Sequence, residues 1–237
     1  MSTETKIDGF KSIMYSSPLF YNFITQRLHN SEKKYNTLAS MVCSDGEKKI
    51  LDIPCGTGYL ARFLKPNISY EGWDLNNVFL EKIKKDWKKG TCKPKNITLK
   101  QKDIFEYQDY PDVDCVLLCD ILHHIFPKHK ELVEKVKKCT KKVVICEPIS
   151  ISPENMNGNG LLGRLIMLIG RYLPESLIKI IDFLFGDNDG INSYATRSKW
   201  AQSDDALKLF YSKIGIKEED IYILGDDLIG IWKKETL

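Results

Sequence analysis

The chain has 237 residues, of which 43% are hydrophobic and 28% charged, as is usual for one large globular domain or two small ones. Disordered chains, collagen-like chains and small disulfide scaffolds are therefore excluded. The 35 basic and 32 acidic residues give a formal net charge of +3, so we expect no nucleic-acid partner. The lysine-rich run over residues 83–102 is interpreted as a solvated helix face.

The cysteines and the N-terminus indicate where the protein resides. The seven cysteines include no C-x-x-C pair, and neither they nor the four histidines have the spacing of zinc ligands. Three cysteines lie in apolar, strand-like runs and are interpreted as buried thiols in a reducing compartment. The first residues lack the apolar core of a secretory signal. We therefore predict a cytoplasmic protein without a metal site.

The first two thirds of the sequence predict helices and then alternating strands and helices. Residues 1–48 have apolar residues at helical spacing. Five strand-like runs follow: KKILDIP, ISYEGWD, NITLKQKD, VDCVLLCD and KKVVICEP. The segment GTGYLARFLK, after the first strand, is predicted to begin a helix. This alternation is typical of a parallel sheet that helices cover on both faces.

The last third has a different pattern. Residues 150–197 are apolar and are interpreted as two short helices separated by Pro174. Charges and this proline interrupt the most apolar part, residues 161–185, so it cannot span a bilayer as one segment. A further helix is predicted in KWAQSDDALKLFYSKIG, ending at Gly215. The run IYILGDDLIGIWKK then predicts an antiparallel hairpin around a Gly-Asp-Asp turn.

The most informative stretch is LDIPCGTGYLA, at the junction between the first strand and the segment after it. Gly56 and Gly58 permit a tight turn and a close approach of backbone to a ligand. Taken alone, G-x-G-x-x-A also fits the dinucleotide-binding fingerprint. Informative residues end or follow the first four strands: Asp52, Asp74, Asp103 and Cys119. Because the carboxyl ends of parallel strands meet at one edge of a sheet, these residues predict a ligand site there.

This combination resembles the class I S-adenosylmethionine-dependent methyltransferases over about residues 46–150 and in the terminal hairpin. The resemblance implies a Rossmann-like α/β fold with a mostly parallel seven-stranded sheet, an antiparallel last strand and an α-helical cap. It implies a single domain over residues 1–237 with four parts: a helical cap (1–45), a cofactor-binding core (46–150), an apolar helical insert or lid (150–197) and a last helix with the hairpin (198–237).

The resemblance also implies a cofactor, S-adenosylmethionine, and a product, S-adenosylhomocysteine. The glycine loop would line the methionine end of the cofactor with Asp52, Pro54, Cys55, Gly56 and Gly58; Pro54 stands where the family often has glycine. Further along the chain, Asp74 would bind the ribose and Leu75 would pack on the adenine. Asp103 and Ile104 would contact the adenine edge, and the backbone carbonyl of Cys119 would receive the methionine amino group.

Methyl transfer from a sulfonium is an in-line displacement, which requires positioning of the acceptor and, for a hydroxyl or ammonium acceptor, a base. His123 and His124 follow the fourth strand and are the candidate catalytic bases. For either histidine the structural alternative is a hydrogen bond to loop backbone. Glu147, at the end of the fifth strand, is a weaker candidate, and its alternative is a hydrogen bond with a loop N–H.

The acceptor is expected to be a small molecule, lipophilic or aromatic, with oxygen, nitrogen and carbon methylation all open. Two regions are expected to cover the cleft, namely the insert and an aromatic N-terminal segment containing Phe10, Tyr15, Phe20, Tyr21 and Phe23. The insert has three interpretations: a pocket wall, a surface in peripheral contact with a membrane, or a dimer interface or ordinary helix packing. Both a monomer and a homodimer fit the sequence.

Two alternative functions stay open at this point. An NAD(P)-dependent oxidoreductase on a similar fold would share the acidic residue after the second strand, and binding of NADH would identify it. A non-catalytic S-adenosylmethionine-binding subunit would keep the same cofactor residues, and turnover with any acceptor would exclude it.

Overall fold

The computed structural model describes residues 12–28, 31–149, 174, 176–177 and 203–235. Within these ranges the helices are α1 (Ile13–Ser16), α2 (Pro18–Leu28), α3 (Ser31–Val42), α4 (Asn77–Lys88), α5 (His129–Val136) and α6 (Asp204–Lys213). The strands are β1 (Lys49–Asp52), β2 (Ser69–Asp74), β3 (Asn96–Gln101), β4 (Val113–Cys119), β5 (Thr140–Pro148), β6 (Ile221–Leu224) and β7 (Asp227–Lys233).

The strands form one seven-stranded sheet in the order β3-β2-β1-β4-β5-β7-β6. Strands β1 to β5 are parallel, whereas β7 is antiparallel to both β5 and β6. This arrangement confirms the predicted fold class. The chain runs outward from β1 in one direction and from β4 in the other, so a switch point lies between these two strands. Open α/β sheets bind ligands outside the carboxyl ends of the strands at such a point.

The central strands of the sheet are buried on both faces, as consecutive side chains of β4 show. Leu117 and Leu118 are consecutive in β4 and both are fully buried. Leu118 belongs to an apolar cluster with Tyr211 of α6, whereas Leu117 belongs to another with Leu38 of α3. Because successive side chains of a strand point to opposite faces, α6 and α3 cover opposite faces of the sheet.

The prediction of a helix directly after β1 is wrong. The segment contains only a single 3₁₀ turn, Leu60–Arg62. Gly58 has a φ of 76°, and Pro66 disfavours a helical conformation for the residue before it, so few residues are left for a helix. In addition, the carbonyl of Ala61 accepts a hydrogen bond from the backbone N–H of Lys93 at 3.0 Å, which takes it out of a helical pattern.

Several expectations concern residues that the structure does not describe. Nearly all of the insert, residues 150–197, lies outside the described residues, and so does Phe10. Within the described part of the chain, no helix has the length and apolar character needed to cross a membrane.

Candidate functional site

A cavity lies at the carboxyl edge of the parallel strands and brings most of the predicted site residues together. Nine of them line it: Pro54, Cys55, Gly56, Asp74, Leu75, Asp103, Ile104, Cys119 and His124. Asp74 and Cys119 are the last residues of β2 and β4, and the others come from the segments that follow β1, β2, β3 and β4. The predicted residues Asp52, Gly58 and His123 are not among the described lining residues.

The Asp74 carboxylate is held rigidly at the cavity wall. One oxygen accepts the backbone N–H of Gly56 at 2.9 Å, and the other accepts the backbone N–H of Asn76 at 2.7 Å. The residue is only 8% exposed. Each carboxylate oxygen has further acceptor capacity, so this group can accept hydrogen bonds from a diol while its own orientation is fixed.

The loop after β3 is fixed in a similar way. One carboxylate oxygen of Asp103 accepts the N–H of Phe105 at 2.9 Å, and the N–H of Asp103 donates to Glu106 at 3.0 Å. The hydroxyl of Tyr110 donates to the carbonyl of Ile104 at 2.6 Å. These bonds present Ile104 and Phe105 to the cavity as an apolar wall.

The two glycines of the loop after β1 have different roles. Gly56 has a φ of 51°, and a side chain carbon added there would meet no atom within 4 Å. It lines the cavity, so a ligand can approach its backbone. Gly58 has a φ of 76°, and an added carbon would lie 2.7 Å from the Ile83 side chain. Gly58 therefore allows the loop to pack against α4.

Asp52 lies behind this loop in the protein interior. It is 2% exposed, and its carboxylate accepts the hydroxyl of Tyr70 at 2.7 Å. Burial raises the pKa of Asp52 to about 7, although the bond from Tyr70 acts in the opposite direction. Its position indicates a role in holding β1 and β2 together beneath the glycine loop.

The structure separates the two candidate bases. His124 lines the cavity, whereas the Nδ1 atom of His123 lies 2.7 Å from a carboxylate oxygen of Glu147. Glu147 is fully buried, and its other oxygen accepts the backbone N–H groups of Ile121 and Leu122, each at 2.8 Å. Glu147 therefore has the structural role given as its alternative, a hydrogen bond with loop N–H groups, whereas His123 contacts the Glu147 carboxylate and not loop backbone. Together these two residues fix the turn that carries His124.

The helices α1 to α3 form a cap over the cavity. Only some of the aromatic residues that are expected to cover the cleft line it. Tyr15 and Tyr21 line the cavity. Phe20 and Phe23 do not appear among the described lining residues, and Phe23 is 52% exposed. The side chains of Tyr15, Tyr21 and Phe79 pack together, with ring centroids 5.1 to 6.2 Å apart.

Two short hydrogen bonds fasten this cap to the loops of the site. The Thr57 hydroxyl donates to the Asn22 side chain at 2.6 Å, joining α2 to the glycine loop. The Asn76 side chain donates to the carbonyl of Tyr15 at 2.6 Å, joining α1 to the loop after β2. Sequence reasoning missed these contacts because no local pattern reports a pairing between distant parts of the chain.

A third contact joins α3 to the sheet and was also missed. The Lys34 ammonium lies 3.0 and 2.9 Å from the two carboxylate oxygens of Asp120 and 2.9 Å from one oxygen of Asp227. Burial lowers the pKa of Lys34, but the carboxylates, led by Asp120, outweigh it and raise the pKa well above its ordinary value. Both Lys34 and Asp120 line the cavity. In the sequence, Lys34 is an ordinary helical lysine.

Comparison with known proteins agrees with this fold. Residues 51–143 match a family model described as a methyltransferase domain, and no curated protein matches the chain in sequence. Magnesium protoporphyrin IX methyltransferase from Synechocystis PCC 6803, solved with S-adenosylhomocysteine, is 11% identical with a TM-score of 0.58, over 90% of this chain and 88% of that one.

Two further structures share the fold. An O-methyltransferase family protein from Burkholderia thailandensis is 14% identical with a TM-score of 0.57, over 92% of this chain and 60% of that one. Mitomycin 7-O-methyltransferase is 13% identical with a TM-score of 0.54, over 86% of this chain and 54% of that one. Neither alternative function receives support from these comparisons. The match over residues 51–143 and the order of the strands are thus those of a methyltransferase domain with the class I, Rossmann-like fold.

Proposed function

We propose that the chain binds S-adenosylmethionine in the cavity and transfers its methyl group to a small, lipophilic or aromatic acceptor. The observation that carries this proposal is the Asp74 carboxylate, fixed by two backbone N–H groups beside the open backbone of Gly56. A carboxylate that is held in a fixed direction can accept hydrogen bonds from a ribose diol. An open glycine allows close contact between the backbone and a ligand.

The other walls of the cavity fit the remaining parts of the cofactor. Leu75, Ile104 and Phe105 offer an apolar surface to an adenine ring, and Asp103 lies beside them. The loop of Pro54, Cys55 and Gly56 and the strand end at Cys119 are proposed to hold the methionine part. When bound, S-adenosylmethionine supplies an electrophilic methyl group on its sulfonium. The residues of the chain then orient the acceptor and exclude water.

The aromatic character of the cap supports the acceptor class. Tyr15, Tyr21 and Tyr35 line the cavity from the cap, and Tyr59 lines it from the core. Tyr35 stacks on Tyr59 with ring centroids 5.4 Å apart. Such surfaces favour an apolar or aromatic molecule. The names of two structural relatives, the protoporphyrin and mitomycin methyltransferases, also refer to small-molecule acceptors.

His124 is the proposed base when the acceptor is a hydroxyl or an ammonium. It lines the cavity on the turn that Glu147 fixes behind it. A histidine in this place can take the proton that the acceptor loses.

The seven cysteines of the chain are all free thiols, which supports the proposed cytoplasmic setting.

The test is an acceptor screen that measures S-adenosylhomocysteine formation. The purified chain is incubated with S-adenosylmethionine and phenols, isoprenoid alcohols or lipophilic amines, with RNA oligonucleotides and peptides in parallel. We expect product with at least one lipophilic small molecule and none above background with RNA or peptide. Product with RNA or peptide alone would contradict the proposed acceptor class. The variant His124→Gln should bind cofactor normally and lose turnover, and unchanged turnover would exclude His124 as the base.

A further inference from the structure

The positive charge of the chain is concentrated in one stretch of the fold. Residues 48–101, from the residue before β1 to the end of β3, contain twelve basic and five acidic residues and thus carry a charge of +7, whereas the whole chain carries +3. The rest of the chain is therefore net acidic. Such an asymmetry is typical of proteins that meet an anionic partner.

Many of these basic residues lie together at one edge of the sheet. Because β1, β2 and β3 are parallel neighbours, their amino ends meet at the same edge. The N–H of Lys95 donates to the carbonyl of Pro66 at 3.1 Å, and the Trp87 side chain donates to the carbonyl of Pro94 at 3.0 Å, which joins the end of α4 to this edge. We define the lysine face as Trp87 and eight exposed lysines: Lys48, Lys49, Lys65, Lys85, Lys88, Lys89, Lys93 and Lys95.

The lysine face has few acidic side chains to offset its charge. Within the described part of the chain, none of its eight ammonium groups forms an ion pair. The nearby acids of α4 have other partners: Asp86 is buried and lies 3.0 Å from Arg62, and Glu81 lies 2.7 Å from Lys84. Asp114 accepts two backbone N–H groups at the beginning of β1 and offsets charge at one end of the face. The face as a whole presents positive charge to the solvent.

The composition of the lysine face fits an anionic membrane better than a protein or a nucleic acid. Protein interfaces are depleted in lysine, whereas nucleic-acid sites favour arginine and, for single strands, several stacking aromatic side chains. Within the described residues 48–101, Trp87 is the only exposed aromatic residue, at 38%. Its N–H is bonded to the loop while part of its ring is open to solvent. Tryptophan is enriched where an apolar and a polar environment meet, as at a membrane surface.

We propose that the lysine face docks the protein reversibly on membranes that contain anionic phospholipids. Each lysine close to such a surface strengthens binding about fivefold, and Trp87 adds an apolar contact with the headgroup region. The inference goes beyond the proposed function and does not depend on it.

Docking by the lysine face leaves the cavity accessible. The cavity lies at the carboxyl edge of the parallel strands, and the lysine face lies at their amino edge. Helix α4 connects the two, since its N-cap Asn76 and its residue Phe79 line the cavity while its last residue, Lys88, belongs to the lysine face. A helix of this length spans about 18 Å.

The inference is tested by co-sedimentation of the purified chain with lipid vesicles at physiological ionic strength. One set of vesicles consists of phosphatidylcholine alone, and the other contains roughly one quarter phosphatidylserine, which makes the surface anionic. We expect the chain to bind the anionic vesicles only. Added salt should release it, because salt screens exposed charges. Binding of a single-stranded RNA oligonucleotide is measured in parallel.

Two matched double variants assign the binding to a surface. Lys88→Gln with Lys95→Gln removes two charges of the lysine face, and we expect about 10- to 50-fold weaker binding to anionic vesicles. Lys130→Gln with Lys213→Gln removes two exposed charges elsewhere. It is a close match because Lys88 and Lys213 are each the last residue of a helix. This control should bind within about threefold of the wild-type chain.

Four results would overturn the inference. If the wild-type chain does not bind anionic vesicles, the lysines are only a solvated surface. If it binds phosphatidylcholine vesicles equally well, the charge is not what attracts it. If it binds RNA and no vesicles, the face belongs to a nucleic-acid partner. If both double variants lose binding equally, the net charge matters and the lysine face does not.

The cofactor site gives a separate measurement. Both double variants should bind S-adenosylhomocysteine like the wild-type chain, because the substituted lysines are not among the described residues that line the cavity. If the wild-type chain binds anionic vesicles and no cofactor, the proposed function fails and the docking inference stands. Thermal unfolding of each variant shows that it is folded.

Discussion

Replacing the Asp74 carboxylate with an amide tests the proposed ribose contact. In the wild-type chain both oxygens accept backbone N–H groups, from Gly56 and Asn76, at 2.9 and 2.7 Å. In Asp74→Asn the new NH₂ group must face one of these two donors, and the charge available to the ribose is lost. A hydrogen bond to a charged group contributes roughly 1.5–3 kcal/mol. We therefore expect cofactor affinity to fall by about 1.5–3 kcal/mol, or roughly 10- to 150-fold.

The assay is calorimetric titration of Asp74→Asn with S-adenosylhomocysteine. Thermal unfolding of the same sample shows whether the variant is folded, because the amide also disturbs the glycine loop. Asp112→Asn, an exposed position away from the cavity, controls for loss of one negative charge. A folded Asp74→Asn variant whose dissociation constant stays within about threefold of the wild-type value would refute the ribose assignment.

Three further predictions concern the residues behind the cavity wall. Because burial raises the pKa of Asp52 to about 7, folding favours its protonated form. As pH rises from about 4 to 8, this group therefore lowers the free energy of unfolding by roughly 2–4 kcal/mol. Urea unfolding should show Asp52→Asn gaining stability over the wild-type chain between pH 5 and pH 8, and a constant difference would contradict this. Glu147→Ala should lower the free energy of unfolding by about 3–5 kcal/mol, since it leaves buried N–H groups and His123 without their acceptor; a loss below about 1 kcal/mol would contradict that role. Gly58→Ala should lower the melting temperature more than Gly56→Ala, because only the first places a carbon 2.7 Å from Ile83, and the reverse order would be inconsistent with the packing described.

The fold could be predicted because its signals are local. The apolar runs that form β1, β4 and β5 are short and continuous, as expected for strands covered on both faces. The loop after β1 was harder, because its glycines suggest a helix start while Pro66 and the bond from Lys93 to Ala61 prevent one. Propensity over a few residues does not register such long-range contacts.

The candidate site could be predicted where it depends on strand ends. Nine of the twelve predicted residues line one cavity because parallel strands end at the same edge of the sheet. The roles of His123 and His124 could not be distinguished, because the sequence does not fix the directions of neighbouring side chains in an irregular turn. Lys34 could not be predicted either. It pairs with residues 86 and 193 positions away in the chain, and only the tertiary fold brings these charges together.

The most direct test of the account is calorimetric titration of the purified wild-type chain with S-adenosylmethionine and S-adenosylhomocysteine, with NADH as the control ligand. We predict saturable binding of both sulfur compounds at a single site, with a dissociation constant on the order of micromolar, and no binding of NADH. Binding of NADH alone, or of none of the three ligands, would contradict this prediction, because the chain would then have the fold without binding the proposed cofactor.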